Sequence, residues 1–238
     1  MQSHSPKLLR VNRAKAQTIH NYNRISRWYD AIAGVSERRL REAGLRQLNA
    51  KQGETILEIG YGTGHCTLEI AKAVGDSGKV CGIDISDRMY GIARERATAA
   101  GIGDRIELCC GDALTLPYPN ETFNGLFMSF TLELFGLTDI DKVLQQCKRV
   151  LKQDGRLCTV AMSSQGKHGI MMRIYEWAHT QFPKTVDCRP IYAEQLLHSA
   201  GFVVSDATVI SFWGLSIEIV RSRKREEKNL KNRRLTSR

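Results

Sequence analysis

The chain has 238 residues, with 35 Lys/Arg against 25 Asp/Glu, a formal net charge of +10 and 42% hydrophobic residues. That length suits one α/β domain with additions, large enough to bury its own core. No apolar run reaches the roughly 18 residues needed to span a bilayer, and the first residues lack an apolar signal region, which favours a cytoplasmic protein. Seven cysteines are scattered through apolar segments and read as reduced core residues. With no Cys-x-x-Cys or His-x-x-x-His pair, a metal site is not expected.

In chain order, Ile19, Tyr22, Ile25, Trp28, Tyr29 and Ile32 recur at three- and four-residue intervals, which predicts an amphipathic helix. Leu40, Leu45 and Leu48 predict a second. Next comes Leu57-Glu58-Ile59-Gly60-Tyr61-Gly62-Thr63-Gly64, an apolar strand with an acid near its end that turns through three glycines into a helix. Such a turn lets a ligand lie against the backbone. It departs from the dinucleotide motif, whose third glycine would fall at position 65, where this chain has His65. Val80-Cys81-Gly82-Ile83-Asp84-Ile85-Ser86 predicts a second apolar strand ending in an acid, Asp84, placed to take the hydroxyls of a ribose or to cap the following helix. Ser86 is the better cap, because Met89, Ile92, Ala93, Ala97 and Ala100 then recur at helical spacing before Gly101.

Ile106 to Cys110 predicts a third strand leading into Gly111-Asp112-Ala113, and Phe123 to Thr131 a fourth. Ile140, Val143, Leu144, Cys147, Val150 and Leu151 share a helix face opened by a Thr138-x-x-Asp141 box. Asp154-Gly155-Arg156 turns that helix into a fifth strand, Leu157 to Met162. Ile170, Met171, Ile174, Tyr175 and Ala178 share another helical face, either packing or the wall of a pocket. Phe202 to Ile210 and Leu215 to Val220 close the pattern as a hairpin. Strands alternating with helices at this rhythm predict a doubly wound, Rossmann-like α/β fold of seven strands, mostly parallel with an antiparallel end. The expected division is a helical extension over 1–50, the α/β domain over 51–220 and a basic tail over 221–238.

The G-x-G-x-G turn with its preceding Glu58 resembles the first motif of the class I S-adenosylmethionine (SAM) methyltransferases. Within that class residues 20–162 resemble the ubiquinone/menaquinone biosynthesis C-methyltransferases, clearest at Gly62-Thr63-Gly64, Asp84-Ile85-Ser86, Asp112-Ala113 and Ser129-Phe130. The likeness implies SAM as cofactor, with Glu58 and Gly60, Gly62, Thr63 and Gly64 at its methionyl part. It places Asp84 and Ile85 at the ribose, Asp112 and Ala113 at the adenine, Ser129 nearby and Tyr29 in a lid. The family has an Arg-Asn pair where this chain reads Glu133-Leu134. Bacterial phosphatidylethanolamine N-methyltransferases look similar too, through Tyr29-Asp30 and the Leu57–Gly60 turn. A small lipophilic acceptor, quinone-like or lipid, is common to both. Methylation of a phenol or ring carbon needs a base, and Glu133, just past the fourth strand, is the candidate, with His168, Tyr175 and His198 as others.

The charge is concentrated at the ends. Residues 1–29 hold six Lys/Arg and no acid, residues 221–238 hold nine against two acids, and the intervening body has 20 basic and 23 acidic side chains. Three readings of the tail stand side by side: a solvated segment, a peripheral contact with anionic membrane, or a grip on nucleic acid or protein. Sparse aromatic residues among the basic ones disfavour nucleic acid. Base N-methylation is also disfavoured, since Met128-Ser129-Phe130-Thr131 stands where an Asp/Asn-Pro-Pro-Tyr-type clamp would be.

Overall fold

The computed structural model describes residues 34–165, 190–212 and 215–225. The expected helix at 19–32 and the apolar face at 170–178 lie outside these residues, as do Tyr29, His168 and Tyr175. The described chain runs α1 (Gly34–Leu48), β1 (Thr55–Ile59), α2 (His65–Val74), β2 (Lys79–Asp84), α3 (Asp87–Ala99), β3 (Ile106–Cys110) and β4 (Phe123–Ser129). It continues through α4 (Leu137–Val150), β5 (Leu151–Ser163), α5 (Ala193–Ser199), β6 (Phe202–Phe212) and β7 (Leu215–Lys224).

One seven-stranded sheet has the order β3-β2-β1-β4-β5-β7-β6. Five strands from β3 to β5 are parallel, and β7 inserts antiparallel between β5 and β6. The order reverses between β1 and β4, so the crevice where open α/β sheets bind ligands lies outside the carboxyl ends of those two strands. Both faces are covered. Leu57, Ile59, Leu126 and Met128 pack with Ile140, Leu144 and Cys147 of α4 and Leu197 of α5. On the other face Ile56, Val80, Phe127 and Val160 pack with Leu40 and Leu48 of α1 and Ile70 and Val74 of α2. Strands buried on both sides explain why β1, β2 and β4 read as continuous apolar runs.

Several boundaries differ from the sequence expectation. The Thr138-x-x-Asp141 box does not form. The helix starts two residues earlier, with Gly136 as its cap and no side-chain cap bond, its carbonyl taking Asp139 N and Ile140 N at 2.9 Å. β4 stops at Ser129, because Phe130 adopts φ 53°, a left-handed conformation no strand continues through. β5 begins at Leu151, but its register on β4 jumps from Phe123↔Leu151 to Gly125↔Arg156, so the expected Asp154–Arg156 turn survives as an irregularity inside the strand. β7 runs to Lys224, so Arg221–Lys224, expected in the tail, are sheet residues and the domain ends later than Val220. Arg156 pairs with Arg223 in this register, which puts the basic end of β7 at the amino edge of the parallel strands, opposite the crevice.

Candidate active site

β1 carries Leu57 and Ile59 into one core and Ile56 and Glu58 toward the face of α1 and α2, the alternation a strand imposes. Glu58 is only 2% exposed, and Thr67 Oγ1 of α2 donates to its Oε2 at 2.5 Å. Burial pushes the Glu58 carboxyl up to about 8, and the negative charge of Asp84 adds to this. The Thr67 bond and Arg41 act in the opposite direction.

Each of the three glycines that follow is needed for a different reason. Gly60 (φ 74°) donates to Ile83 O at 2.8 Å, and a Cβ on it would collide with Thr131 Oγ1. Gly64 (φ 81°) lies against α3, where a Cβ would come within 2.9 Å of Ala93 Cβ. Gly62 (φ 52°) has nothing within 4 Å of where a Cβ would sit, so its outer side faces open space. Thr63 is half-buried, and its carbonyl accepts from Arg96 Nη1 of α3.

Asp84 ends β2 with both carboxylate oxygens engaged. Gly62 N donates to Oδ2 at 2.9 Å and Ser86 N to Oδ1 at 3.0 Å. Burial raises its pKa, opposed by these backbone N–H groups and that of Ile85. Ser86 accepts from Met89 N at 3.3 Å and caps α3, leaving Asp84 free of the capping role. Ile85 O accepts from Cys110 Sγ at 3.5 Å, and Gly111 N donates to Asp84 O at 2.8 Å, which ties the second turn to the end of β3. Asp112 Oδ1 accepts from Leu114 N at 3.0 Å, an Asx turn. Ala113 is buried in the core.

Across the switch point, Ser129, Phe130 and Thr131 end β4. Thr131 is 7% exposed and seated on Gly60, its Oγ1 donating to Ser129 O at 3.0 Å. Phe130, a bulky residue at positive φ, is the kind of backbone outlier that clusters at functional sites. Glu133 stands apart. It is fully buried in a short 3-10 turn (Leu132–Leu134), and its Oε1 accepts from Met162 N of β5 at 3.1 Å.

Gly60–Gly64, Asp84–Ile85, Asp112–Ala113 and Ser129 are therefore collected at the carboxyl ends of β1, β2, β3 and β4, four adjacent strands. The sequence did not single out Thr67 or Thr131. Thr131 was adjacent to a named residue and could have been found. Thr67 gave no signal beyond its place in the helix. Two observations make this edge suited to SAM: the open outer side of Gly62, and the buried Ser129 Oγ, which has no hydrogen-bond partner among the described residues. Among the described residues no group of His, Cys, Asp or Glu is arranged to hold a metal ion.

Comparison with known proteins agrees with this geometry. A methyltransferase-domain family matches residues 56–155. A demethylmenaquinone methyltransferase from Symbiobacterium thermophilum is 29% identical over 227 residues, covering 83% of this chain and 89% of that one. One from Shouchella clausii is 32% identical over 155 residues, 63% of this chain and 65% of its own. A ubiquinone/menaquinone biosynthesis C-methyltransferase from Enterobacter is 36% identical over 113 residues, and there the match spans 44% of the relative. Among solved structures, a SAM-dependent methyltransferase from Aquifex aeolicus superposes with TM-score 0.64 at 22% identity, covering 84% of this chain and 98% of that one. The [4+2]-cyclase SpnF superposes with TM-score 0.72 at 20% identity, covering 91% and 99%. These structures share the fold; the sequence relatives carry the chemistry. The chain is a SAM-dependent methyltransferase, similar to the methyltransferase-domain family over residues 56–155 and in sequence to the quinone C-methyltransferases.

Proposed function

We propose that this enzyme methylates a small lipophilic acceptor of the quinone type, bound beside the end of β4 on the α1 face. The observation that carries this reading is an apolar surface at the crevice edge of the sheet. Half-buried Phe130, Ile210 and Leu215 pack against a core cluster that includes Met162 and Ile217. These residues sit side by side across the sheet, since Met162 and Ile210 both pair with Ile217 and Phe130 N donates to Val160 O. Aromatic and methionine side chains suit a flat apolar ring. The names of the quinone-acting relatives support the same acceptor class.

In this reading Gly60, Gly62, Thr63 and Gly64 carry the methionyl part of SAM and Glu58 lies beneath its ammonium. Asp84 and Ile85 take the ribose, Asp112 and Ala113 frame the adenine, and Ser129 Oγ supplies its unused hydrogen bond. Bound SAM supplies an electrophilic methyl group on a sulfonium. The protein's task is then to hold the acceptor in line with that methyl, a positioning effect that can lower a barrier by roughly 7–11 kcal/mol. Methylation at a ring carbon releases a proton. Glu133 is not the base in this account: fully buried and bonded to Met162 N, it holds the end of β5 in place. A lid role for Tyr29 is part of the same proposal and falls outside the described residues.

The test uses SAM labelled in the methyl group, with demethylmenaquinone under reducing conditions and, in parallel, a total cell extract. Label entering the organic phase supports the proposal. Label that precipitates with RNA or protein overturns it in favour of a macromolecular target held by the basic ends.

A further inference from the structure

Besides Glu58 and Glu133, the described residues contain a third buried carboxylate near the crevice, on the opposite face of the sheet from the apolar wall. Glu218 of β7 is 1% exposed. Its Oε2 accepts from Ser163 Oγ at 3.2 Å and from Ala193 N at 3.0 Å, and its Oε1 accepts from Gln165 Nε2 at 3.2 Å and from Glu194 N at 3.1 Å. Two separate stretches of chain therefore meet on one side chain: the end of β5 with the residues just after it, and the first turn of α5. Ser163 Oγ also accepts from Gln165 N at 2.9 Å. Ser164 N donates to Ile191 O and Ile191 N to Met162 O, both at 2.9 Å, so residues 190–194 run alongside the end of β5. Ala193 N and Glu194 N are first-turn donors that α5 cannot satisfy itself, and Tyr192, its cap residue, makes no side-chain cap bond. Glu218 satisfies them from across the sheet.

We propose that Glu218 is a positioning residue for the acceptor side of the active site, fixing the carboxyl end of β5 and the 191–194 stretch while leaving the SAM cradle untouched. The chain of contacts is short. Ile217, the residue before Glu218, and Met162, the residue before Ser163, belong to the apolar wall, and they are paired in register. Met162 is gripped twice, its N–H by Glu133 Oε1 and its carbonyl by Ile191 N. Without the Glu218 carboxylate, Ser163 Oγ, Ala193 N and Glu194 N lose their acceptor in a water-poor place. A buried donor left without a partner is costly, so the two stretches separate. The glycine turns and Asp84 belong to β1 and β2, on the far side of β4, and make no contact with this clasp. The inference rests on the lipophilic-acceptor reading only in its kinetic arm.

The test compares the full chain with Glu218→Ala and Glu218→Gln by hydrogen exchange, SAM calorimetry and methyl transfer to demethylmenaquinone. Glu218→Ala is expected to reduce exchange protection at Ser164, Ile191, Ala193 and Glu194 at least tenfold and to leave the SAM Kd within twofold. The acceptor KM should rise at least fivefold, with kcat within twofold. Glu218→Gln keeps the shape but only one acceptor oxygen. It should expose Ala193 N or Glu194 N to exchange, but not both, and bring the KM back toward that of the original protein. Unchanged protection in both variants overturns the proposal, as does a loss of SAM affinity that matches the loss of acceptor affinity. Should Glu218→Ala fail to fold, Glu218→Gln decides alone, and full protection at both amides overturns the clasp. Absence of any transfer to demethylmenaquinone by the unaltered protein counts against the acceptor assignment and leaves the exchange and SAM arms to judge the clasp.

Discussion

At the residue scale, Gly60 and Gly62 separate folding from binding. An alanine at either has to hold a positive φ, which costs about 1–2 kcal/mol. At Gly60 the added methyl also collides with Thr131, so Gly60→Ala is expected to lose roughly 2–5 kcal/mol of stability by urea unfolding. Gly62→Ala meets nothing among the described residues and should lose only the backbone cost, yet weaken SAM binding because its methyl enters the open space. Glu58 makes a prediction about pH. Its folded pKa, about 8, lies above the ordinary glutamate value, so the folded state binds the extra proton between the two. Stability is then greatest below the unfolded pKa and falls as pH rises toward 8, by up to about 1.4 kcal/mol per pH unit. Asp84 and Glu218, also raised by burial, contribute with the same sign. Urea unfolding at pH 5, 6.5 and 8 should show a markedly flatter decline for Glu58→Gln, and an unchanged decline would mean that Glu58 is ionised throughout.

At the element scale, one side chain fastens the carboxyl end of α1. Arg156, beside the irregularity in β5, donates to Leu48 O, to Asn49 O at 2.8 Å and to both oxygens of Glu54 at 2.9 and 2.6 Å, and so ties the end of α1 to the amino edge of the sheet. The pair is 14% and 17% exposed, and Arg156→Ala leaves Glu54 without its cation. A loss of about 3 kcal/mol is expected from chemical unfolding, in line with breaking a mostly buried pair. This anchor shows where sequence reading stops. The order of strands and helices was legible because apolar period and glycine turns are local signals, and so was the gathering of Gly60–Gly64, Asp84, Asp112 and Ser129 at adjacent strand ends. Arg156–Glu54, Thr67–Glu58 and the four bonds of Glu218 join positions that nothing in the local pattern connects. The Thr138 box fails for the converse reason: a plausible side-chain cap lost to a backbone cap two residues earlier at Gly136. The burial of Glu133 was equally hidden, since its place after β4 gave its neighbourhood and not its orientation.

At the scale of the whole molecule, the basic end of β7 and the candidate site lie at opposite edges of the sheet. The crevice opens at the carboxyl ends of β1 to β5, whereas Arg221, Arg223 and Lys224 leave β7 at the amino edge. The described chain leaves β7 on the edge opposite the candidate site, and we propose residues 226–238 as a peripheral tether to an anionic surface. Basic residues near such a surface contribute about 1 kcal/mol each. Removing residues 226–238 spares β7 and should lower co-sedimentation with phosphatidylserine-containing vesicles at low salt without altering SAM affinity. Equal sedimentation of both forms would remove the tether. No helix among the described residues is long and apolar enough to cross a membrane.

The account rests on the turns after β1 and β2 forming a cradle for SAM, and titration calorimetry addresses this most directly. Micromolar SAM binding is expected for the full chain, weakened about tenfold or more by Asp84→Ala, or about 1.4 kcal/mol. A protein that gives no heat with SAM but binds NAD or FAD, or an Asp84→Ala variant with unchanged SAM affinity, would contradict it.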